Sequence, residues 1–118
     1  MMGERVIDTA TGIAYTLDSD PIVSVDSRDY FTPDDADRWS VIEIYKAPDP
    51  DSGWALVQLG LSRVPGEVTY ARVRICPTVK AIADALLRHS NGTAYYTVTG
   101  KAALLMVQKK LGRAEVTL

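Results

Sequence analysis

The stretch VTYARVRICPTVKAIADALLRHSNG, residues 68–92, decides the fold because its hydrophobic period changes at Pro77. Before the proline, Tyr70, Arg72 and Arg74 alternate with Ala71, Val73 and Ile75, the period of two that a strand imposes on its side chains. After it, Val79, Ile82, Ala83, Leu86 and Leu87 fall on one stripe of a 3.6-residue helix. Lys80, Asp84 and Arg88 stand four apart on the opposite side, with unlike charges as neighbours. Thr78 is placed to cap the helix, and Asn91-Gly92 to end it in the left-handed conformation that glycine permits. The spacing predicts a strand up to Cys76 and a helix over residues 78–90.

Upstream, VIEIYKA, WALVQLGLS and VTYARVRIC are strand-like runs separated by PDPDSG and VPGE, so residues 41–76 read as a three-stranded antiparallel meander. Alternation assigns one wholly apolar face to Ile42, Ile44, Val57, Leu59, Leu61, Ala71, Val73 and Ile75, which a covering layer must bury. The second, mixed face takes Glu43, Tyr45, Trp54, Leu56, Gln58, Tyr70, Arg72 and Arg74. In the N-terminal third, RVIDTA and IAYTL suggest a small hairpin turned at Thr11-Gly12, and IVSV a further short strand. Thr32, Pro33, Asp34 and Asp35 have the order of a helix start, predicting a short helix or single helical turn from Thr32 to about Trp39.

Downstream, TAYYTV predicts a strand over 93–98 that extends the sheet. Thr99 then starts a second helix over 100–111, stopped by Gly112, and AEVTL suggests a last short strand over 114–118. The fold expected is α+β: an antiparallel β-meander sheet with two amphipathic helices packed on one face. One domain is expected over 1–118, with short strands and a helical turn in 1–40 and a β-β-β-α-β-α-β core in 41–118.

With 118 residues, 47% of them hydrophobic and 24% charged, the chain can bury one core without staples. No run approaches the ~20 apolar residues that span a bilayer. The start lacks a basic segment followed by an apolar one, so no secretory signal and no membrane association are expected. The single cysteine, Cys76, has no partner within the chain, and the cytoplasm is the simplest compartment. The net charge of −2 conceals an asymmetry: residues 1–71 hold five bases against thirteen acids, and residues 72–118 eight bases against two acids. The simplest reading is that the halves fold together and offset each other, while a basic surface for an acidic partner is the sharper one.

Several chemistries are argued against. Cys76 and His89, at opposite ends of one predicted helix, would stand roughly 18 Å apart at 1.5 Å rise per residue, too far for a catalytic dyad. One Cys and one His cannot complete a zinc site. DPDSG lacks the closing Glu of a calcium loop and reads as a hairpin turn. VTGKAALL lacks the upstream glycine and the Ser or Thr of a phosphate loop. Neither an enzyme nor a cofactor is expected.

Two binding readings remain. The favoured one is a non-enzymatic protein-interaction or regulatory module that self-associates, most simply as a two-fold homodimer. It rests on a last helix that is apolar around more than half its circumference, with Leu105, Met106 and Lys109 as the candidate interface. The alternative is nucleic-acid binding. TVKAIADALL resembles the first helix of helix-turn-helix proteins, which implies a recognition helix after a tight turn. Nine residues of strand character, SNGTAYYTV, intervene here, so no family is assigned. A second route is the mixed sheet face, where Glu43, Tyr45, Trp54, Gln58, Tyr70, Arg72 and Arg74 form a candidate stacking and phosphate-binding surface. The blander expectation is that the N-terminal segment covers these aromatics and pairs the arginines with its acids.

Overall fold

The computed structural model describes residues 4–17, 20–30, 32–67 and 69–111. In chain order its elements are β1 (Glu4–Ile7), β2 (Ala14–Leu17), β3 (Val23–Asp26), β4 (Arg38–Lys46), β5 (Trp54–Ser62), β6 (Tyr70–Cys76), α1 (Val79–Leu86), β7 (Arg88–Ser90), β8 (Thr93–Tyr95) and α2 (Val98–Leu111). The architecture is α+β. Strands β3-β4-β5-β6 form an antiparallel sheet in that order, and α1 and α2 pack on one of its faces. No helix among the described residues is long and apolar enough to cross a membrane.

The meander is framed by β4 and β5, which pair over their full nine-residue lengths, from Arg38 opposite Ser62 to Lys46 opposite Trp54. Their connection closes with a 3-10 turn at Pro50–Ser52, where the Asp49 carboxylate accepts the Asp51 N–H at 3.1 Å. The IVSV segment joins as the edge strand β3, Val23 opposite Ile44 and Val25 opposite Ile42.

The register across β4 and β5 overturns the expected faces. Ile42 stands opposite Gln58 and Ile44 opposite Leu56. Ile42 and Ile44 therefore share a face with Leu56, Cys76, Val23 and Val25, not with Val57, Leu59 and Val73. A shift of one residue exchanges the faces of a whole strand. Strand β4 carries large side chains on both sides, Ile42 and Ile44 against Val41 and Tyr45, so its pattern alone could not fix the register.

The helices accordingly cover the other face from the one expected. Val79, Ile82, Ala83 and Leu86 of α1 are buried, as their stripe predicts, and Val79, Ile82 and Leu86 join Val23, Val25, Ile44, Leu56, Ala103 and Val107 in the main core. Thr78 caps α1, its Oγ1 accepting the Ala81 N–H at 3.0 Å. On the opposite face Tyr45, Ala55 and Val57 are buried under Val6 and Leu17 of the β1–β2 hairpin, with Leu59, Ala71 and Val73 packed alongside. The hairpin is fastened to the outer edge of β6 by consecutive residues. Asp8 accepts the Val73 N–H at 2.9 Å, and the Thr9 N–H donates to the Ala71 carbonyl at 2.8 Å.

Four further expectations are corrected. Helix α1 ends at Leu86, four residues short of 90, because Asn91-Gly92 is not its cap but the turn of a hairpin. Both residues have positive φ, 50° and 80°, the conformation of a type I′ turn whose twist suits the flanking strands. Strand β8 pairs only with β7, so residues 93–98 do not extend the main sheet. Of the short helix or single turn expected from Thr32, the structure has the single turn, closed by the Ala36 N–H on the Pro33 carbonyl at 3.0 Å, but it does not reach Trp39, because β4 already includes Arg38 and Trp39. Helix α2 begins at Val98, with Thr97 Oγ1 accepting the Gly100 N–H at 3.0 Å, while Thr99 is buried. The strand expected over 114–118 lies outside the described residues.

Candidate functional site

Helices α1 and α2 do not cover the whole of their sheet face. Towards its far end Ser40, Gln58, Gly60, Tyr70, Arg72 and Arg74 point to the same side, as their pairing in the register requires. The β7–β8 hairpin stands opposite them and brings Arg88 and His89 to the rim. Between lies a groove of about 890 Å³, walled by Gln58, Tyr70, Arg72 and Arg74 from the sheet and by Asp84, Leu87, Arg88 and His89 from the helical side. A cavity of about 210 Å³ continues it over Ser40, Gln58, Tyr70 and Arg88. A third, of about 310 Å³, reaches Arg38, Trp39 and Glu67 and again includes Tyr70. Tyr70 is common to all three, so they adjoin around its ring, and together they make up a trough over β6, β5 and β4.

Tyr70 is seated by a glycine. A Cβ at Gly60, directly opposite on β5, would overlap the tyrosine ring, so the ring lies across the bare backbone. It remains 41% exposed, and the Arg72 guanidinium sits 5.8 Å from its centroid.

The groove's arginines are not cancelled by ion pairs, although Arg38 and Glu67 at the trough's other end pair with each other. The ion pairs Asp26–Arg28, Arg38–Glu67 and Lys80–Asp84 each join residues of the same charge half of the chain. Among the described residues Arg72, Arg74 and Arg88 are in no ion pair, contrary to the expectation that N-terminal acids would pair them. Asp8, at the rim, has its carboxylate occupied: Oδ1 accepts from Ala10 and Thr11, and Oδ2 from Val73. The Val73 N–H, with those of Thr11 and Ala10, holds the Asp8 carboxyl below its ordinary value of 3.8 against the opposing effect of burial.

The sequence-derived surface is thus divided. Gln58, Tyr70, Arg72 and Arg74 meet in the trough. Trp54, on the same face, packs instead against the main core. Glu43 and Tyr45 lie on the opposite face, Tyr45 fully buried with its hydroxyl donating to Glu43 Oε1 at 3.1 Å. Arg88 and His89 were missed because a helix was expected to carry them away from the sheet. The Asn-Gly turn was the available signal for their placement.

Cys76 is buried at the end of β6, and burial pushes its thiol above the ordinary value of 9.0, Arg74 opposing. His89 is exposed on β7. Near Arg38, Trp39 is stacked by two guanidiniums, Arg28 at 4.4 Å and Arg63 at 4.7 Å. Of the candidate interface on α2, Leu105 and Lys109 face outward, while Met106 packs against the main core. The chain matches no protein-family model, no curated protein and no solved structure.

Proposed function

We propose that the protein is a non-catalytic binding module whose working surface is the trough, and that its partner presents negatively charged groups. The observation that carries this reading is the convergence of Arg72, Arg74 and Arg88 on one groove with no carboxylate paired to them among the described residues. Guanidiniums hold planar bidentate contacts to carboxylate or phosphate, so an unpaired set in a concave site favours an anionic occupant. Binding rather than catalysis is favoured because the groove's acids are engaged, Asp84 with Lys80 and Asp8 with backbone N–H groups. The one thiol is buried in the core.

Self-association rests on a smaller basis. Much of the apolar surface of α2 is spent inside, and Val98 and Leu105 are its large outward apolar side chains, interleaved with Lys101 and Lys109.

The test is a fluorescence titration of labelled inorganic polyphosphate with the native protein and with Arg72→Ala, Arg74→Ala, Arg88→Ala combined. Affinity is expected to fall steeply between about 50 and 200 mM salt as counterions are released. The variant should lose most of it. Absence of binding at the low salt, or equal binding by the variant, contradicts the proposal.

A further inference from the structure

We infer that the anionic partner is single-stranded nucleic acid, with a base stacked on Tyr70 and its phosphates met by Arg72, Arg74 and Arg88. The inference deepens the proposed function and rests on the trough being the binding surface.

Three features favour this occupant. The first is the platform. Tyr70 lies over Gly60 yet stays 41% exposed, so one ring face is seated while the ring remains accessible. An aromatic held flat in a basic groove stacks any base, because every base has a π face. The second is spacing. Arg72 and Arg74 are alternate residues of one strand, which places their Cα atoms about 7 Å apart on one side of the sheet. The trough extends sideways from that row across β5 to β4, roughly 10 Å between the outer two axes, which leaves room for bases beside a backbone that follows the arginines. The third feature disfavours an acidic peptide. Extended peptides commonly dock by adding a strand to a sheet edge, where main-chain hydrogen bonds supply the affinity. At β6, the edge beside the arginines, the N–H groups of Ala71 and Val73 are already taken by Thr9 and Asp8. A polymer read through its bases and phosphates does not need that edge.

The experiment compares three labelled probes by anisotropy at fixed low salt: oligothymidylate, inorganic polyphosphate of similar charge, and an oligoglutamate peptide. Proteins assayed are native, Tyr70→Ala, Tyr70→Phe and the triple arginine variant, each checked for folding by circular dichroism. The expected result is preference for oligothymidylate. Tyr70→Ala should then weaken it roughly five- to hundredfold, as loss of one stacked base does. Tyr70→Phe should retain it, and polyphosphate should be indifferent to both. Equal binding of oligothymidylate and polyphosphate, unmoved by Tyr70→Ala, overturns the inference and leaves the anion-binding trough standing. Preference for oligoglutamate, lost in the arginine variant, does the same. Binding of none of the probes overturns both.

Discussion

The carboxylate of Asp8 accepts the backbone N–H of Val73 at 2.9 Å, joining positions 65 residues apart along the chain. With Thr9 on Ala71, it closes part of an edge that would otherwise offer unpaired groups to another strand. It also holds the N-terminal hairpin over the second core of Tyr45, Ala55 and Val57.

Replacing Asp8 by Asn should destabilise the fold at neutral pH. The amide can still accept from Ala10 and Thr11 through its oxygen, but its NH2 group cannot accept from Val73. The folded carboxyl titrates below its ordinary value of 3.8. Its contribution is therefore complete above that value and is lost as pH falls through the lower folded value. Urea melts should show native and Asp8→Asn midpoints far apart at pH 7 and converging in acid. A constant gap contradicts the assignment.

Leu86→Ala should cost about 2–5 kcal/mol, because Leu86 is buried between α1 and the sheet. Arg88→Ala should cost under about 1 kcal/mol, since its side chain is exposed on β7. Urea melts of the two variants measure both, and equal losses would refute the placement.

Gly92→Ala should cost about 1–2 kcal/mol, because an L side chain is strained at its φ of 80°. The hairpin carries Arg88 and His89, so the same change should weaken polyphosphate binding while leaving the main core intact. Thermal melts combined with the titration separate the two effects.

Gly60→Ala should displace the Tyr70 ring, because the added Cβ would occupy the ring's seat. A cost of about 1–3 kcal/mol is expected from overpacking, together with altered Tyr70 ring resonances in NMR spectra. Unchanged ring resonances would contradict the seated geometry.

The meander, the α1 stripe and the hairpin at Thr11-Gly12 were legible because each has one strong period and a clear turn signal. The faces of β4 were not. Its pairing with β5 depends on how the loop over 47–53 closes, and Ile42, Ile44, Val41 and Tyr45 make either orientation plausible. That single register decided which candidate residues meet. Gln58, Tyr70, Arg72 and Arg74 stayed together because β5 and β6 were aligned correctly from their own alternation, whereas Glu43 and Tyr45 were carried to the other side. Arg88 and His89 escaped notice because Asn-Gly serves both as a helix stop and as a hairpin turn. What decides between the two is the pairing of Arg88 with Tyr95, a contact that local periodicity does not encode.

The most direct test of the central claim is a backbone-amide NMR titration of the native protein with oligothymidylate at low salt. Shift changes are predicted at Gln58, at 70–74 and at Arg88 and His89, and they should fade as salt is raised. Changes confined to the outward side of α2 around Val98 and Leu105, with the trough amides unmoved, would contradict the account.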